Sequence, residues 1–397
     1  MSKILNEAGA NKLLIKYINN IVTIFMDKIS FLSSEFFWFI LFIKLSATTF
    51  AYFIYSKFTP FIDAKLYLST CIGYCLHSSW SIRISLTHLF FYSLKLILIS
   101  DLSVNLFSSF LTTYILWYVF QKCYNFINKP LFYSSLCLPH FLIWSGMVGK
   151  EVLLIGGFLL LIKSCVDLVI RKKTKILPLF LGLVITLIIR PQSAICYGYL
   201  LLVTIFLNHF KDEYFKRPNN SIIILFTSLI FALMLLFLCW DYISVPLLKM
   251  MKVIKFNYFL GQVTARSNRL DIIYENPIDF ITNLWWGLPI SIIGPTLHEV
   301  FLRPIMLPAF LEGLFSLALF VYLFIKTINF ALINPKYNAF IILGFIPAIL
   351  IGLILNYPMG IFNPGAAIRY KQSLAPLFYF YPLLLMSEIK MKKALNR

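Results

Sequence analysis

Arg190 is the residue of this sequence whose type and position point most directly to chemistry. It lies beside Pro191 in an apolar run, residues 176–210, that is too long for one membrane helix of about 20 residues. The Arg-Pro pair therefore predicts two short helices that meet at the arginine. A guanidinium at such a junction is unfavourable unless it serves an anion, a partner or a cavity. Its planar fork of donors suits phosphate, and the N–H groups at the start of the following helix would add anion affinity.

Two carboxylates lie in connections that we expect on the same side of the membrane as Arg190. Asp63 follows the first strong apolar segment, and Glu151 lies beside Lys150 at a glycine-bounded turn. A carboxylate in such a place can act as a general base toward a hydroxyl group. Each also has a plainer interpretation, because Asp63 can pair with Lys65 and Glu151 with Lys150, and exposed ion pairs contribute little.

Further basic and polar side chains are predicted on this outer side. The segment 356–373 contains an Asn-Pro-Gly turn followed by Arg369, Tyr370 and Lys371, just before the last apolar segment. Cations on the outer side oppose the usual charge distribution, so a bound anion is a better explanation than simple anchoring. The long outer loop adds the candidate residues Arg266, Arg269, His298 and Glu299. For His298, a polar residue at the membrane interface is the simpler interpretation.

The composition indicates what kind of fold must position these residues. Hydrophobic residues make up 60% of the chain and charged residues 13%, whereas soluble domains have about 25% charged residues. We therefore predict an all-α, polytopic membrane helix bundle with roughly 10–12 spans. The candidate spans are 36–56, 64–80, 82–100, 102–121, 130–147, 151–170, 176–189, 193–209, 221–242, 307–329, 337–356 and 374–389.

The basic connections predict the orientation of the bundle. With the N-terminus inside, the positive-inside rule assigns five basic stretches to the cytoplasm, namely 122–129, 171–175, 210–220, 330–336 and the tail. The domains then follow in order. Residues 1–35 form an amphipathic cytoplasmic segment on the bilayer, residues 36–389 one membrane domain with the outer loop 243–306, and residues 390–397 a basic tail.

Other function classes find no support in the sequence. The seven cysteines are scattered without metal-ligand spacing, so free buried thiols are the expected state. There is no phosphate-binding glycine loop and no dinucleotide fingerprint. Although the net charge is +19, basic membrane loops explain much of it, and nothing indicates nucleic-acid binding. We predict no cofactor, and a divalent metal stays an open alternative without support.

The outer candidate residues together suit a lipid-linked diphosphate sugar. A diphosphate requires cations at the depth of the headgroups, and its lipid requires lateral access between helices. An acceptor hydroxyl requires a carboxylate base, and a departing diphosphate requires stabilisation of its charge. Arginines beside carboxylates at one face of a helix bundle would meet these requirements.

The order of these features resembles that of a known family. An aspartate lies in the first outer loop, a Gly-Lys-Glu turn precedes a basic inner loop, an Arg-Pro turn follows, and Asn-Pro-Gly with Arg-Tyr comes near the end. Over most of the chain this layout resembles the polytopic bacterial envelope proteins related to C-type membrane glycosyltransferases and to O-antigen or capsule polymerases. The resemblance implies catalytic acids at Asp63 and Glu151, and functional arginines at Arg190 and in the loop 243–306.

The resemblance implies an O-antigen polymerase of the bacterial inner membrane, with its active site facing the periplasm. It would transfer glycan from undecaprenyl diphosphate to another lipid-linked repeat unit, beside a chain-length regulator and a flippase. Arg190, Arg369 and Arg266 would hold the diphosphate, and Asp63 or Glu151 would accept the proton. Three alternatives stay open, namely a transferase that uses a polyprenyl-monophosphate sugar, a lipid-linked oligosaccharide flippase and a non-catalytic scaffold.

Overall fold

The described part of the chain is helical throughout. A computed structural model describes residues 33–58, 62–69, 82–209, 217–259, 269 and 274–396. Within these ranges all regular elements are helices and no strand occurs, so the predicted all-α class is confirmed for this part. Most of the predicted N-terminal segment 1–35 and much of the candidate span 64–80 lie outside the described residues.

The first half of the chain contains helices of very different lengths. The helices are α1 (Glu35–Phe50), α2 (Ile62–Leu68), α3 (Ile82–Leu98), α4 (Asp101–Phe120), α5 (Lys129–Leu136), α6 (Pro139–Trp144), α7 (Lys150–Arg171), α8 (Ile176–Ile189) and α9 (Pro191–His209). A π-helical segment, Ala51–Tyr55, extends α1.

The second half continues in the same way, with short helices gathered between residues 279 and 302. The helices are α10 (Pro218–Leu238), α11 (Trp240–Phe259), α12 (Asp279–Thr282), α13 (Leu284–Ile293), α14 (Leu297–Leu302), α15 (Leu307–Ile333), α16 (Ile346–Ile361), α17 (Pro364–Lys371) and α18 (Tyr381–Leu395). The π-helical segments Phe340–Phe345 and Pro376–Phe380 lead into α16 and α18.

Seven helices of the described chain are long and apolar enough to cross a membrane, which indicates a multi-pass membrane protein. With their extensions they are Glu35–Tyr55, Asp101–Phe120, Lys150–Arg171, Pro191–His209, Pro218–Leu238, Pro304–Ile333 and Pro335–Ile361. Two shorter apolar helices, Ile176–Ile189 and Leu284–Ile293, accompany them.

Two predicted segments differ from the structure. The single span predicted over 130–147 is two short helices, α5 and α6, because Pro139 holds the preceding residue in an extended conformation and has no N–H for a continuous helix. The predicted outer loop 243–306 is largely helical where it is described, beginning with α11. Its apolar part forms the short helix α13.

α7 is the central helix of the bundle. Its residues are mostly buried, and it packs against α4, α8, α9 and α18. Phe158 on α7 stacks on Tyr197 of α9 with ring centroids 3.9 Å apart. The charged residues of α7 lie near its two ends, since Glu151 and Asp167 are separated by 16 residues of helix, or about 24 Å.

These ends define two regions of the bundle. The Glu151 end contains Arg190 and Arg369, which bind the Glu151 carboxylate. The Glu388 end contains the C-terminal part of α18, where Lys392 donates to the Ile170 carbonyl at 2.7 Å. The connections 171–175 and 330–336 come together with the tail at this second end, because Lys393 also donates to Asn334.

Candidate functional site

The Glu151 carboxylate binds two arginines from distant parts of the chain. Arg190 donates through Nη2 to Oε1 at 2.9 Å. Arg369 donates through Nε to Oε1 at 2.7 Å and through Nη2 to Oε2 at 3.0 Å, as a two-pronged fork. The arginines are 39 and 218 residues from Glu151 along the chain. We call these residues the Glu151 cluster.

The position of Arg190 follows from the proline beside it. Pro191 disfavours helical geometry at the preceding residue, so α8 ends at Ile189 and Arg190 adopts a non-helical conformation with φ −147° and ψ 76°. Pro191 then starts α9, because a missing N–H is harmless in a first turn. The Arg190 carbonyl accepts from the backbone N–H groups of Ser193 and Ala194 at 3.1 and 3.0 Å. The predicted junction of two helices at Arg190 is therefore present.

Arg369 is carried by a short helix within the segment that the sequence suggested as a loop. The Asn363 side chain caps α17 by accepting from the Ala366 N–H at 3.0 Å, and Pro364 occupies the first helical position. This cap fixes where the helix begins. Arg369 consequently lies in the last turn of α17, where it reaches the start of α7.

Aromatic rings cover the two guanidinium groups. The Cζ atom of Arg190 lies 4.2 Å from the centroid of the Tyr370 ring, and that of Arg369 lies 5.2 Å from the Trp144 ring. Such stacking stabilises a cation that has been removed from water. The predicted candidate Tyr370 is therefore part of the Glu151 cluster, and Trp144 joins it.

The Glu151 cluster carries more positive charge than its carboxylate can balance. Glu151 is 1% exposed and Arg190 is 4% exposed, so water screens their charges poorly. Two guanidinium groups share one carboxylate, which leaves one positive charge in excess. Among the described residues, Nη1 of Arg190 is buried and has no hydrogen-bond acceptor. A buried donor without an acceptor is rare and unfavourable, and it marks a place where an anion would be stabilised.

Lys371, two residues after Arg369, is a second buried cation of this end. It is 6% exposed, and no acceptor for its Nζ is present among the described residues. Burial lowers the pKa of the Lys371 amine, and the negative charge of Glu312 partly offsets this. Residues 369 and 371 are two positions apart on a helix, about 200° around its axis, so they point to different sides of α17.

Glu312 of α15 binds His140 of α6 at this end of the bundle. The Glu312 carboxylate accepts from the backbone N–H of His140, with both oxygens 3.1 Å away, and contacts Nδ1 of the same imidazole. Both residues are buried. The two lie 172 residues apart along the chain.

A third set of polar residues forms hydrogen bonds to the turn that precedes α7. The Lys44 amine is buried and donates to the Ser145 carbonyl at 3.1 Å and to the Ser145 hydroxyl. Thr112 donates to the same carbonyl at 2.7 Å, and the Val148 N–H donates to Asn105 at 2.7 Å. These bonds fix the turn and therefore the direction in which α7 starts.

Two candidates from the outer loop bind each other. Arg269 donates through Nε and Nη2 to Glu299, and through its remaining donors to the carbonyls of Gly294, Gly360 and Ile361. A guanidinium with this many acceptors is a clamp between loop segments and has little capacity left for a phosphate.

Glu299 also closes a capping box at the start of α14 with Thr296. Burial alone would raise the pKa of the Glu299 carboxyl. The hydrogen bonds from Arg269 and Thr296 outweigh burial and hold the pKa below its ordinary value. The carboxylate is therefore kept charged by its partners.

The remaining predicted residues lie outside the Glu151 cluster or outside the described residues. His298 is exposed on α14, and Lys150 is half-buried at the start of α7. Glu151 bonds to both Arg190 and Arg369. The backbone of Asp63 belongs to α2, while its side chain lies outside the described part, as does the whole of Arg266.

Sequence reasoning missed Lys44, His140 and Glu312. A signal existed for two of them, because Lys44 and Glu312 are ionisable residues inside long apolar segments. Such residues point to a functional site by default. His140 gave no comparable signal, since it follows a proline in a weakly apolar segment.

Metal ligands and known relatives give no further guide to the site. Within the ranges that the structure describes, no group of His, Cys, Asp or Glu could hold a metal ion. The sequence matches no model of a known protein family, and comparisons with curated proteins and with solved structures return no match.

The geometry therefore offers three kinds of group at one end of a helix bundle. There is a cluster of guanidinium groups with charge in excess, a buried amine with no acceptor among the described side chains and backbone, and an imidazole held by a carboxylate. Cations of this kind stabilise phosphate charge, and a held imidazole can transfer protons. Glu151 is poorly suited to the predicted role of base, because both of its oxygens are committed to arginines.

Proposed function

We propose that this protein is a glycosyl-transferring enzyme of surface polysaccharide assembly, and specifically a polymerase of lipid-linked repeat units. The donor would be a glycan on undecaprenyl diphosphate, and the acceptor would be a hydroxyl group of another lipid-linked unit. The reaction would take place in the bacterial inner membrane, with the Glu151 end facing the periplasm. No nucleotide is required, because the donor already carries its leaving group.

The observation that carries this proposal is that Nη1 of Arg190 is buried and has no hydrogen-bond partner in the part of the chain that the structure describes. A phosphate oxygen would satisfy this donor and neutralise the excess charge of the Glu151 cluster. The interaction would be strong, because a buried site has a low dielectric constant. It would also assist the reaction, since charge develops on the diphosphate as the glycosidic bond breaks.

Within this proposal Glu151 holds the arginines and Arg190 contacts the phosphate. Arg369 is fixed by its fork to Glu151, so it would contribute charge and position. Lys371 would contribute a second donor on the other side of α17. We leave Arg269 out of the phosphate site because its donors are occupied, and the role of Arg266 stays a prediction.

The competing proposals differ in the donor and in the distribution of charge. A single-sugar transferase would use a polyprenyl monophosphate, which requires fewer donors. A flippase would present charged residues along a cavity that is reachable from both sides. The two buried cationic atoms without an acceptor among the described residues, Nη1 of Arg190 and Nζ of Lys371, lie at one end, which favours an enzyme acting at one face.

Cells in which the chromosomal gene encodes the Arg190→Ala variant test the proposal. We expect their surface lipopolysaccharide to show core with a single repeat unit, because polymerisation fails while synthesis and export of the unit continue. Arg190→Lys should fail in the same way, since an ammonium cannot replace a planar fork. Arg83→Ala, which removes an exposed arginine of α3, is the matched control and should leave the ladder unchanged.

The lipopolysaccharide ladder distinguishes the alternative functions, provided that an immunoblot shows equal amounts of each variant protein. Loss of every repeat unit would instead indicate a flippase or a ligase. A full ladder with one altered sugar would indicate a single-sugar transferase. A normal ladder in the Arg190→Lys cells would contradict the role that we assign to the guanidinium.

A further inference from the structure

His140 and Glu312 form a buried acid–base pair to which the proposed phosphate site assigns no role. Glu312 contacts Nδ1 of the ring and also accepts the backbone N–H of the same residue. One carboxylate thus fixes both the position of the histidine and the tautomer of its ring. With Nδ1 engaged, Nε2 is the ring nitrogen that remains for chemistry, and it has no hydrogen-bond partner among the described residues.

This arrangement is the one that activates histidine as a general base. A carboxylate on one ring nitrogen orients the imidazole and stabilises the imidazolium that forms when the other nitrogen accepts a proton. The effect is larger when both groups are buried, as His140 and Glu312 are. Glu312 also lies in an apolar segment, where an ionisable side chain is retained mainly for function.

The pair lies next to the proposed phosphate site. His140 and Trp144 are four residues apart on α6, which places them on one face about 6 Å apart along the axis. Trp144 covers Arg369, and α6 packs against α17. Glu312 also lies close enough to Lys371 of α17 for its negative charge to oppose the lowering of the Lys371 pKa by burial. α17 therefore connects the two groups, with Arg369 toward Glu151 and Lys371 toward Glu312.

We propose that His140 is the proton acceptor of the glycosyl transfer and that Glu312 is its positioning residue. This inference rests on the proposed function. It assigns to His140 the role that the sequence suggested for Asp63 or Glu151. In this proposal the donor phosphates meet the arginines while the acceptor hydroxyl approaches the imidazole.

The proposed step conserves atoms, electrons and charge. The acceptor oxygen forms a bond to the anomeric carbon of the donor glycan, and its proton passes to Nε2 of His140. The bond between that carbon and the diphosphate oxygen breaks, and its electron pair leaves with the undecaprenyl diphosphate. Glu312 stabilises the imidazolium until its proton passes to water or to the departing phosphate.

A plainer role for Glu312 is to cap α6, because it accepts a backbone N–H at the start of that helix. The two roles respond differently to Glu312→Gln. A glutamine carbonyl still accepts the backbone N–H, but it cannot stabilise an imidazolium through charge. If Glu312 were only a cap, Glu312→Gln would retain full turnover.

The test uses the purified full-length protein in lipid nanodiscs with an undecaprenyl-diphosphate-linked repeat unit. We expect His140→Ala to lower turnover about 100-fold to 10,000-fold, the usual contribution of a general base, while affinity for the donor stays unchanged. Added imidazole should restore part of the activity of His140→Ala. Glu312→Gln should lower kcat without raising KM.

Matched controls separate catalysis from folding. His88→Ala removes another buried histidine, whose ring contacts the Ser69 carbonyl, and should retain turnover.

Asp63→Asn tests the rival assignment, in which Asp63 is the base. If Asp63→Asn abolishes turnover while folded His140→Ala keeps the wild-type rate, His140 is not the base. If the wild-type protein transfers no glycan from this donor, the proposed function itself fails.

Discussion

The two ends of α7 carry similar residues that are balanced differently. At the Glu388 end, Lys163 bonds to Asp167 and Glu388 at 2.8 and 3.0 Å. Arg171 bonds to Glu388 at 2.9 Å and approaches Asp167 at 3.6 Å. Within this group of four side chains, two cations and two carboxylates cancel.

The Glu151 cluster has two cations for one carboxylate, and Nη1 of Arg190 in this cluster is buried and has no acceptor among the described residues. A balanced cluster has satisfied its own hydrogen bonds, and its effect is confined to joining helices. An unbalanced cluster is stable only when something compensates it, whether aromatic faces or an anionic ligand. The comparison teaches that a charged cluster in a membrane protein is better judged by its unmet donors than by its number of arginines.

Glu151→Gln should have the largest effect, because it leaves two buried guanidinium groups without their anion. We expect a loss of about 3–5 kcal/mol in the free energy of unfolding, since removing one partner of a buried ion pair leaves charge uncompensated. Turnover should also fall about 100-fold as Arg190 loses its position, because a small displacement of a binding group has an effect of this size. Unfolding in detergent and glycan transfer by the folded fraction measure the two effects. Loss of turnover without loss of stability would contradict the anchoring role of Glu151.

Glu388→Gln should affect stability alone. We expect a loss of up to about 3–5 kcal/mol, because Lys163 stays buried with less negative charge beside it. The paired change Lys163→Met with Glu388→Leu should recover most of that loss, since Asp167 and Arg171 still compensate each other. Turnover per folded molecule should equal wild type in both variants. A specific loss of turnover would show that the Glu388 end takes part in function.

Loss of the Arg269–Glu299 clamp should have the smallest effect on stability. The size of that effect should depend on pH in the acidic range. The pKa of Glu299 is lowered from its ordinary value near 4.5, so the clamp stabilises the folded protein fully above that pH. Its contribution is lost as the pH falls through the lowered pKa. The difference in melting temperature between wild type and Glu299→Gln should therefore shrink between about pH 6 and pH 3. A difference that is constant over this range would exclude the charge of Glu299 as the cause.

The sequence predicts the long helices well because their apolar runs have the length of a membrane span. The predicted span 151–170 corresponds to Lys150–Arg171, and 193–209 corresponds to Pro191–His209. The break at Arg190 was predictable because proline acts locally. By contrast, the division of 130–147 into two helices was missed, since a membrane segment often tolerates one proline.

The composition of the site was harder to predict than the helices. The sequence suggests that Glu151, Arg190 and Arg369 share one side, but their common contacts span up to 218 residues and depend on helix packing. Arg269 has the same residue type and predicted side, yet it bonds to Glu299 and to backbone carbonyls. The partnership of His140 with Glu312 has no counterpart in local spacing, so only the folded arrangement reveals it.

Binding of undecaprenyl diphosphate to the purified protein in nanodiscs tests the central claim most directly, with undecaprenyl monophosphate as the comparison ligand. The account predicts tighter binding of the diphosphate, and a loss of about 10-fold to 100-fold in that affinity for Arg190→Ala, as expected for hydrogen bonds to a charged group. Arg171→Ala, which changes the balanced group at the Glu388 end, should bind the diphosphate as tightly as wild type does. Equal diphosphate affinity in wild type and Arg190→Ala would contradict the claim that the unbalanced cluster binds phosphate.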